Sequence, residues 1–87
     1  MGSARSVGEL ARLVGGVVEG DEGYLIHGVA DLAGAGPQDL SFFSHPRYES
    51  FARQTKAGAL LVGTSAPKDL GRNRIRVAQP SAAFTQI

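Results

Sequence analysis

Leu40-Ser41-Phe42-Phe43 and Ala59-Leu60-Leu61-Val62, separated by Ser44 to Gly58, decide the fold of this chain. The second run is four uninterrupted apolar residues, which suits a strand buried on both faces. The first reads as another short strand. Between them, Pro46 opens a helix that runs to about Gln54, with Phe51 and Ala52 facing the core, and Lys56-Ala57-Gly58 closes it. A helix joining two such strands predicts a right-handed crossover and a parallel pair. The class is therefore α/β.

Working outward, Ser6-Val7-Gly8-Glu9 has the form of a capping box, with Ser6 as N-cap and Glu9 three residues on. Val7, Leu10, Ala11, Leu13 and Val14 follow on one helical face, and Gly15-Gly16 ends the helix. Val17-Val18-Glu19 is a short strand, Gly20-Asp21-Glu22-Gly23 a turn, and Tyr24 to Ala30 a second strand that would pair with the first as a hairpin. Asp31 to Asp39 is a loop, and so is the polar stretch Gly63 to Asn73. Ile75-Arg76-Val77 is a last strand with alternating faces. Gln79-Pro80 opens a final helix with Pro at its first position. That helix stops without a closing Gly, Asn or basic cluster, so the chain reads as the first piece of a longer protein. The order α-β-β-β-α-β-β-α predicts a small mixed sheet of about five short strands with two to three helices, in one domain over residues 1–87.

Eighty-seven residues exclude most complete enzymes on doubly wound sheets or barrels, which need about 200 or more. The absence of cysteine removes any disulfide framework, thiolate zinc site or thiol nucleophile. A net charge of +1 gives no reason to expect nucleic acid or an acidic membrane as partner. No apolar run is long enough for a membrane-spanning helix, and the sequence predicts no secretory signal.

Catalytic patterns are missing. No serine sits in a Gly-x-Ser-x-Gly context. Gly34-Ala35-Gly36 lacks the Lys and the helix of a phosphate loop, and the carboxylates have no metal-ligand spacing. No catalytic residue, cofactor or metal is therefore assigned. His27 reads as a half-buried strand residue whose ring is satisfied by a backbone group. The segment Ser41-Phe42-Phe43-Ser44-His45-Pro46-Arg47-Tyr48 is different. It sets two aromatics, Phe42 and Tyr48, on either side of a strand-to-helix junction. Two such rings can sandwich a flat ring such as a nucleobase, with His45 adding an edge hydrogen bond. The same spacing also fits two packing aromatics beside a turn, the commoner use of such residues.

At this segment the sequence resembles the N-terminal domain of the UDP-3-O-acylglucosamine N-acyltransferases of lipid A biosynthesis in Gram-negative bacteria. The resemblance runs from about Ser6 to Ile87. It rests on Gly28-Val29-Ala30-Asp31-Leu32 followed by Ala35, on Leu40 through Tyr48, on Thr55 through Val62, and on Gln79-Pro80.

The resemblance implies a small α/β unit similar in fold to the N-terminal domain of Mur-type ligases. It implies a substrate-binding role for this unit: the uracil of a UDP-sugar stacked between Phe42 and Tyr48, with no catalytic residue in these 87. The family often carries Asn where this chain has His45, and an imidazole presents donor and acceptor from separate ring atoms rather than from one amide end. Arg47 matches the family's basic residue. Catalysis belongs to a following left-handed β-helix domain, absent from this chain. There a histidine acts as general base for the 2-amine of UDP-3-O-acylglucosamine, and acyl carrier protein delivers the 3-hydroxyacyl group. The resemblance further implies a cytoplasmic enzyme that is a homotrimer only at full length, and a fragment inactive alone. Two other readings are the N-terminal domain of a Mur-type UDP-sugar ligase and a non-catalytic protein-docking module.

Overall fold

The computed structural model describes residues 4–67 and 69–87. Among these residues, seven strands form, β1 (Arg5–Ser6), β2 (Val17–Glu19), β3 (Leu25–Ile26), β4 (Gly28–Val29), β5 (Asp39–Phe43), β6 (Ala59–Val62) and β7 (Arg74–Arg76). Three α-helices accompany them: α1 (Val7–Val14), α2 (Glu49–Gln54) and α3 (Pro80–Thr85). Five strands make one mixed sheet in the order β2-β7-β6-β5-β4, and β1 and β3 make a separate antiparallel pair. The α/β class, the five-stranded sheet and the helices are as the sequence predicts.

The centre of the sheet follows from composition. Ala59, Leu60, Leu61 and Val62 of β6 are all fully buried. They pair in parallel with Leu40 to Phe43 of β5 on one side and with Arg74 to Arg76 of β7 on the other. Ala59 and Leu61 share a core with Leu40, Ile75, Val7, Leu10 and Ala11, so α1 and α3 cover that face. Leu60 and Val62 share a second core with Phe43, Ala35, Ala52, Ala57 and Leu70. The strand thus needs cover on both faces, which is the environment of parallel sheets.

The N-terminal helix forms as its sequence predicts. Ser6 Oγ accepts from the Glu9 N–H at 3.1 Å, and Glu9 Oε1 accepts from the Ser6 N–H at 3.0 Å. Gly15 closes the helix at φ 69°, the left-handed conformation that glycine adopts without steric cost. Val7, Leu10 and Ala11 are buried, but Leu13 is exposed, because it lies at the margin of the stripe they define.

Other expectations need correction. Tyr24 to Ala30 is not one strand and does not pair with Val17–Glu19. β2 lies antiparallel to β7, β3 pairs with β1, and β4 runs parallel to β5. The chain crosses from the small sheet to the large one at His27, whose backbone N–H donates to Gln38 O at 2.8 Å. The His27 residue is exposed rather than half-buried. The Pro46 helix starts as a 3₁₀ turn over Pro46–Tyr48 and becomes α-helical only at Glu49. Ala52 faces the core as expected, whereas Phe51 is 50% exposed. The final strand begins one residue earlier than predicted, at Arg74.

The stretch from Gly63 to Asn73 is not simply exposed. Leu70 and Asn73 are buried. Two arginines of β7 hold this segment against the sheet. The Arg76 guanidinium donates to the carbonyls of Gly63 at 3.0 Å and Ala66 at 2.8 Å, and Arg74 donates to Leu70 O at 3.0 Å. Glu19 on the neighbouring edge strand accepts from Nε of Arg74 at 2.9 Å and of Arg76 at 2.7 Å. Asn73 is a second tie: its Oδ1 accepts from the Asp21 N–H at 2.7 Å and its Nδ2 donates to Gly58 O at 2.8 Å.

Two predictions follow from these ties. The hydrogen bonds from Arg76 and Arg74 pull the Glu19 carboxyl down from its ordinary 4.5 to about 2. The stabilisation is therefore complete above pH 4.5 and is lost as pH falls from there towards about 2. Glu19→Gln will melt lower than wild type at neutral pH, and its melting temperature will fall less steeply across that acid window. Asn73→Ala strands the Gly58 carbonyl in the interior and will cost roughly 1–3 kcal/mol in urea unfolding.

Candidate functional site

Parallel pairing of β4 and β5 brings the carboxyl ends of both strands to one edge of the sheet, the side where open α/β sheets bind ligands. A cavity of about 420 Å³ lies there. Its walls come from the loop after β4 (Asp31, Leu32, Ala33), the end of β5 (Phe42, Phe43, Ser44), the 3₁₀ turn (Tyr48) and α2 (Phe51). The lining is mostly apolar, with polar groups on Asp31, Ser44 and the Tyr48 hydroxyl. That composition suits a small organic ligand held by shape and a few hydrogen bonds.

Local chemistry sets the rim. Asp31 Oδ1 accepts from the Gly34 N–H at 2.7 Å, which folds the loop back beside the sheet. Thr55 Oγ1 donates to Leu32 O at 2.8 Å and anchors the same loop to the end of α2. His45 caps the 3₁₀ turn, its Nδ1 accepting from the Arg47 N–H at 3.2 Å. Pro46 occupies the first helical position, where no N–H is needed. This pairing begins the turn that carries Tyr48 back over the cavity.

Phe42 and Tyr48 are thus brought to one cavity. Phe42 is half-buried and Tyr48 is 45% exposed. Neither ring is sealed in the core, so both can offer a surface to a ligand. His45 stands at the rim and is not one of the cavity's walls. Its ring is edge-on to Tyr48, with centroids 6.4 Å apart and planes at 74°. Assigned from its hydrogen bond, the neutral ring carries its proton on Nε2, a donor left for another partner. The Arg47 guanidinium lies over the Tyr48 ring, 5.9 Å from its centroid, within cation–π range. His27 is not at this site.

The pattern of aromatics did not single out Phe51, Asp31, Leu32, Ala33 or Ser44 as walls. Phe51 carries a legible signal: three residues after Tyr48, it shares a helical face with it. The loop residues carry none, because only the parallel register of β4 and β5 brings them beside Phe42. Among the described residues, no group of three or more His, Asp or Glu is placed to hold a metal ion. No helix among them is long and apolar enough to cross a membrane.

Known proteins match along this whole region. The family profile described as UDP-3-O-(3-hydroxymyristoyl) glucosamine N-acyltransferase, LpxD, matches residues 24–87. A UDP-3-O-acylglucosamine N-acyltransferase of Myxococcus xanthus is 45% identical over 95% of this chain and 24% of its own length. Its counterpart in Methylacidiphilum infernorum is 43% identical over 94% of the chain and 23% of its length. The Pseudomonas putida protein of the same name is 33% identical over the full chain and 25% of its length. The chain spans about a quarter of the curated relatives it matches. With the matched segment running from Tyr24 through both strands of the cavity to Ile87, the chain belongs to the LpxD family of N-acyltransferases.

Proposed function

We propose that this chain is the uridine-binding part of an N-acyltransferase acting on UDP-3-O-acylglucosamine in lipid A biosynthesis. The observation that carries this reading is the cavity walled by Phe42 and Tyr48, two accessible rings that line one cavity at the carboxyl end of β5. Family membership supports it, since the relatives are named for a UDP-sugar substrate. A base between the rings gains stacking on both faces, and the fixed rims then read its edge.

In this reading His45 donates from Nε2 to a uracil carbonyl oxygen, while its Nδ1 stays engaged with the Arg47 N–H. This reverses the polarity of an alternative in which the ring accepts from the base N3–H. The sugar and acyl ends of the substrate leave the cavity towards the rest of the protein. There, a β-helix domain supplies a histidine that takes a proton from the 2-amine. The amine attacks the thioester carbonyl of a 3-hydroxyacyl group on acyl carrier protein, forming the amide and releasing the carrier thiol. These 87 residues contribute binding and orientation only, so alone they are inactive. The full protein is a cytoplasmic homotrimer, and this small α/β unit shares its fold with the N-terminal domain of Mur-type ligases. The accessibility of Tyr48 weighs against a pure packing role for the aromatic pair.

The test is an NMR titration of the labelled chain with UDP-N-acetylglucosamine, with AMP as control. Saturable shifts at the amides from Phe42 to Tyr48 with the UDP-sugar only are expected; equal shifts with AMP would overturn uridine recognition. The same titration on a chain extended to the length of the relatives will bind more tightly. Tyr48→Ala will lose one stacking face, costing roughly 1–3 kcal/mol of binding with the fold intact. A donor at His45 favours the uracil O4 over the 4-amino group of cytosine. Wild type will therefore prefer uridine to cytidine, and His45→Ala will narrow that preference.

A further inference from the structure

The two aromatic walls of the cavity are supported in different ways. Phe42 lines the cavity, yet its ring also packs against Phe84 of α3, with centroids 4.7 Å apart and planes tilted by 38°. Both rings lie against the core that α1 and α3 share with the sheet. Among the described residues, no aromatic ring lies so close to Tyr48. Its aromatic neighbours His45 and Phe51 each stand 6.4 Å away, and it is nearly half exposed.

We propose that Phe84 is a positioning residue for the nucleobase wall: it sets the ring plane of Phe42 and thereby couples the docking of α3 to occupation of the cavity. This rests on the uridine reading given above. The strand pleat fixes where the Phe42 ring begins, but the last torsion of a phenylalanine is broad and leaves its tilt free. A base stacks only on a ring presented at the right tilt. Contact with Phe84 selects that tilt before the ligand arrives, so the cost of ordering the ring is already met.

The coupling runs both ways, because linkage between two sites is reciprocal. α3 has six residues, of which Pro80 and Ala83 are buried. A helix that short does not hold itself together in water, so its order depends on what it touches. Phe42 is one of those contacts. A base stacked on Phe42 restrains the ring, and the restrained ring restrains Phe84. Tyr48 acts as the adaptable wall and Phe42 as the fixed one.

The test uses uridine itself, Phe84→Leu and Phe84→Tyr. Leucine keeps an apolar side chain against the core and removes the flat ring; tyrosine keeps the flat ring. Phe84→Leu, with a melting temperature close to wild type, will bind uridine about tenfold more weakly, and Phe84→Tyr will return to within about twofold of wild type, the factors expected if the competent tilt falls to a tenth of the population and is then restored. Amide exchange in the unmutated chain needs no variant to fold. Saturation with uridine will slow exchange at the α3 amides from Ala83 to Thr85. Phe84→Leu binding as tightly as wild type, a loss that tyrosine does not restore, or unchanged exchange in α3 on saturation would each overturn the brace alone. A wild-type chain with no uridine-dependent shifts between Phe42 and Tyr48 overturns the uridine reading, and the brace with it.

Discussion

Everything in this small domain depends on covering β6. Its four side chains alternate between two faces, and none is exposed. Burying roughly 25 cal/mol of transfer free energy per Å² on both sides is the main favourable term available to a chain with no disulfide. The domain therefore has three layers despite its size. α1 and α3 close one face. The other face receives the short α2, the loop after β4 through Ala35, and a folded-back loop around Leu70.

That second cover explains the unusual density of polar ties near β7. A loop laid over a sheet brings backbone carbonyls out of water, and each needs a donor. Arg76 and Arg74 supply them from the strand itself, with Glu19 bridging the two guanidinium groups. Asn73 joins the β2–β3 turn to the start of β6. Gly58, just before β6, sits where a Cβ would run into the Tyr24 ring and the Pro37 carbonyl. The close packing at this corner leaves no room for a side chain.

The candidate site uses what the parallel strands leave open. At the carboxyl end of β5 the sheet stops, the loop after β4 folds beside it, and the 3₁₀ turn begins at Pro46. The site is mainly aromatic: its walls offer stacking faces and the polar groups of Asp31, Ser44 and Tyr48, with Arg47 outside against Tyr48. In the proposed uridine reading, recognition by shape and stacking suits a part that orients a substrate while chemistry happens elsewhere. It also makes the site sensitive to ring geometry, which is where α3 enters through Phe84.

Much of this was legible along the chain. The capping box at Ser6 and Glu9, the Gly15 stop, the parallel pair around an all-apolar β6 and the Pro80 helix depend on residues close in sequence or on composition. So did the placing of Phe42 and Tyr48 about one junction. What local pattern could not decide was partner choice. Tyr24 to Ala30 has the composition of one strand, but its halves pair with β1 and β5 in two different sheets. Leu70 and Asn73 sit in a polar loop and become buried only because Arg74 and Arg76 fold that loop inward. The sequence by itself determined the helix caps and stops and most of the strands of the large sheet, since those preferences are short-range; it did not show β1 or the break at His27. Only the tertiary structure decided that Asp31, Phe51 and Phe84 stand around the same pair of aromatics, because that meeting depends on strand register and layer packing across distant parts of the chain.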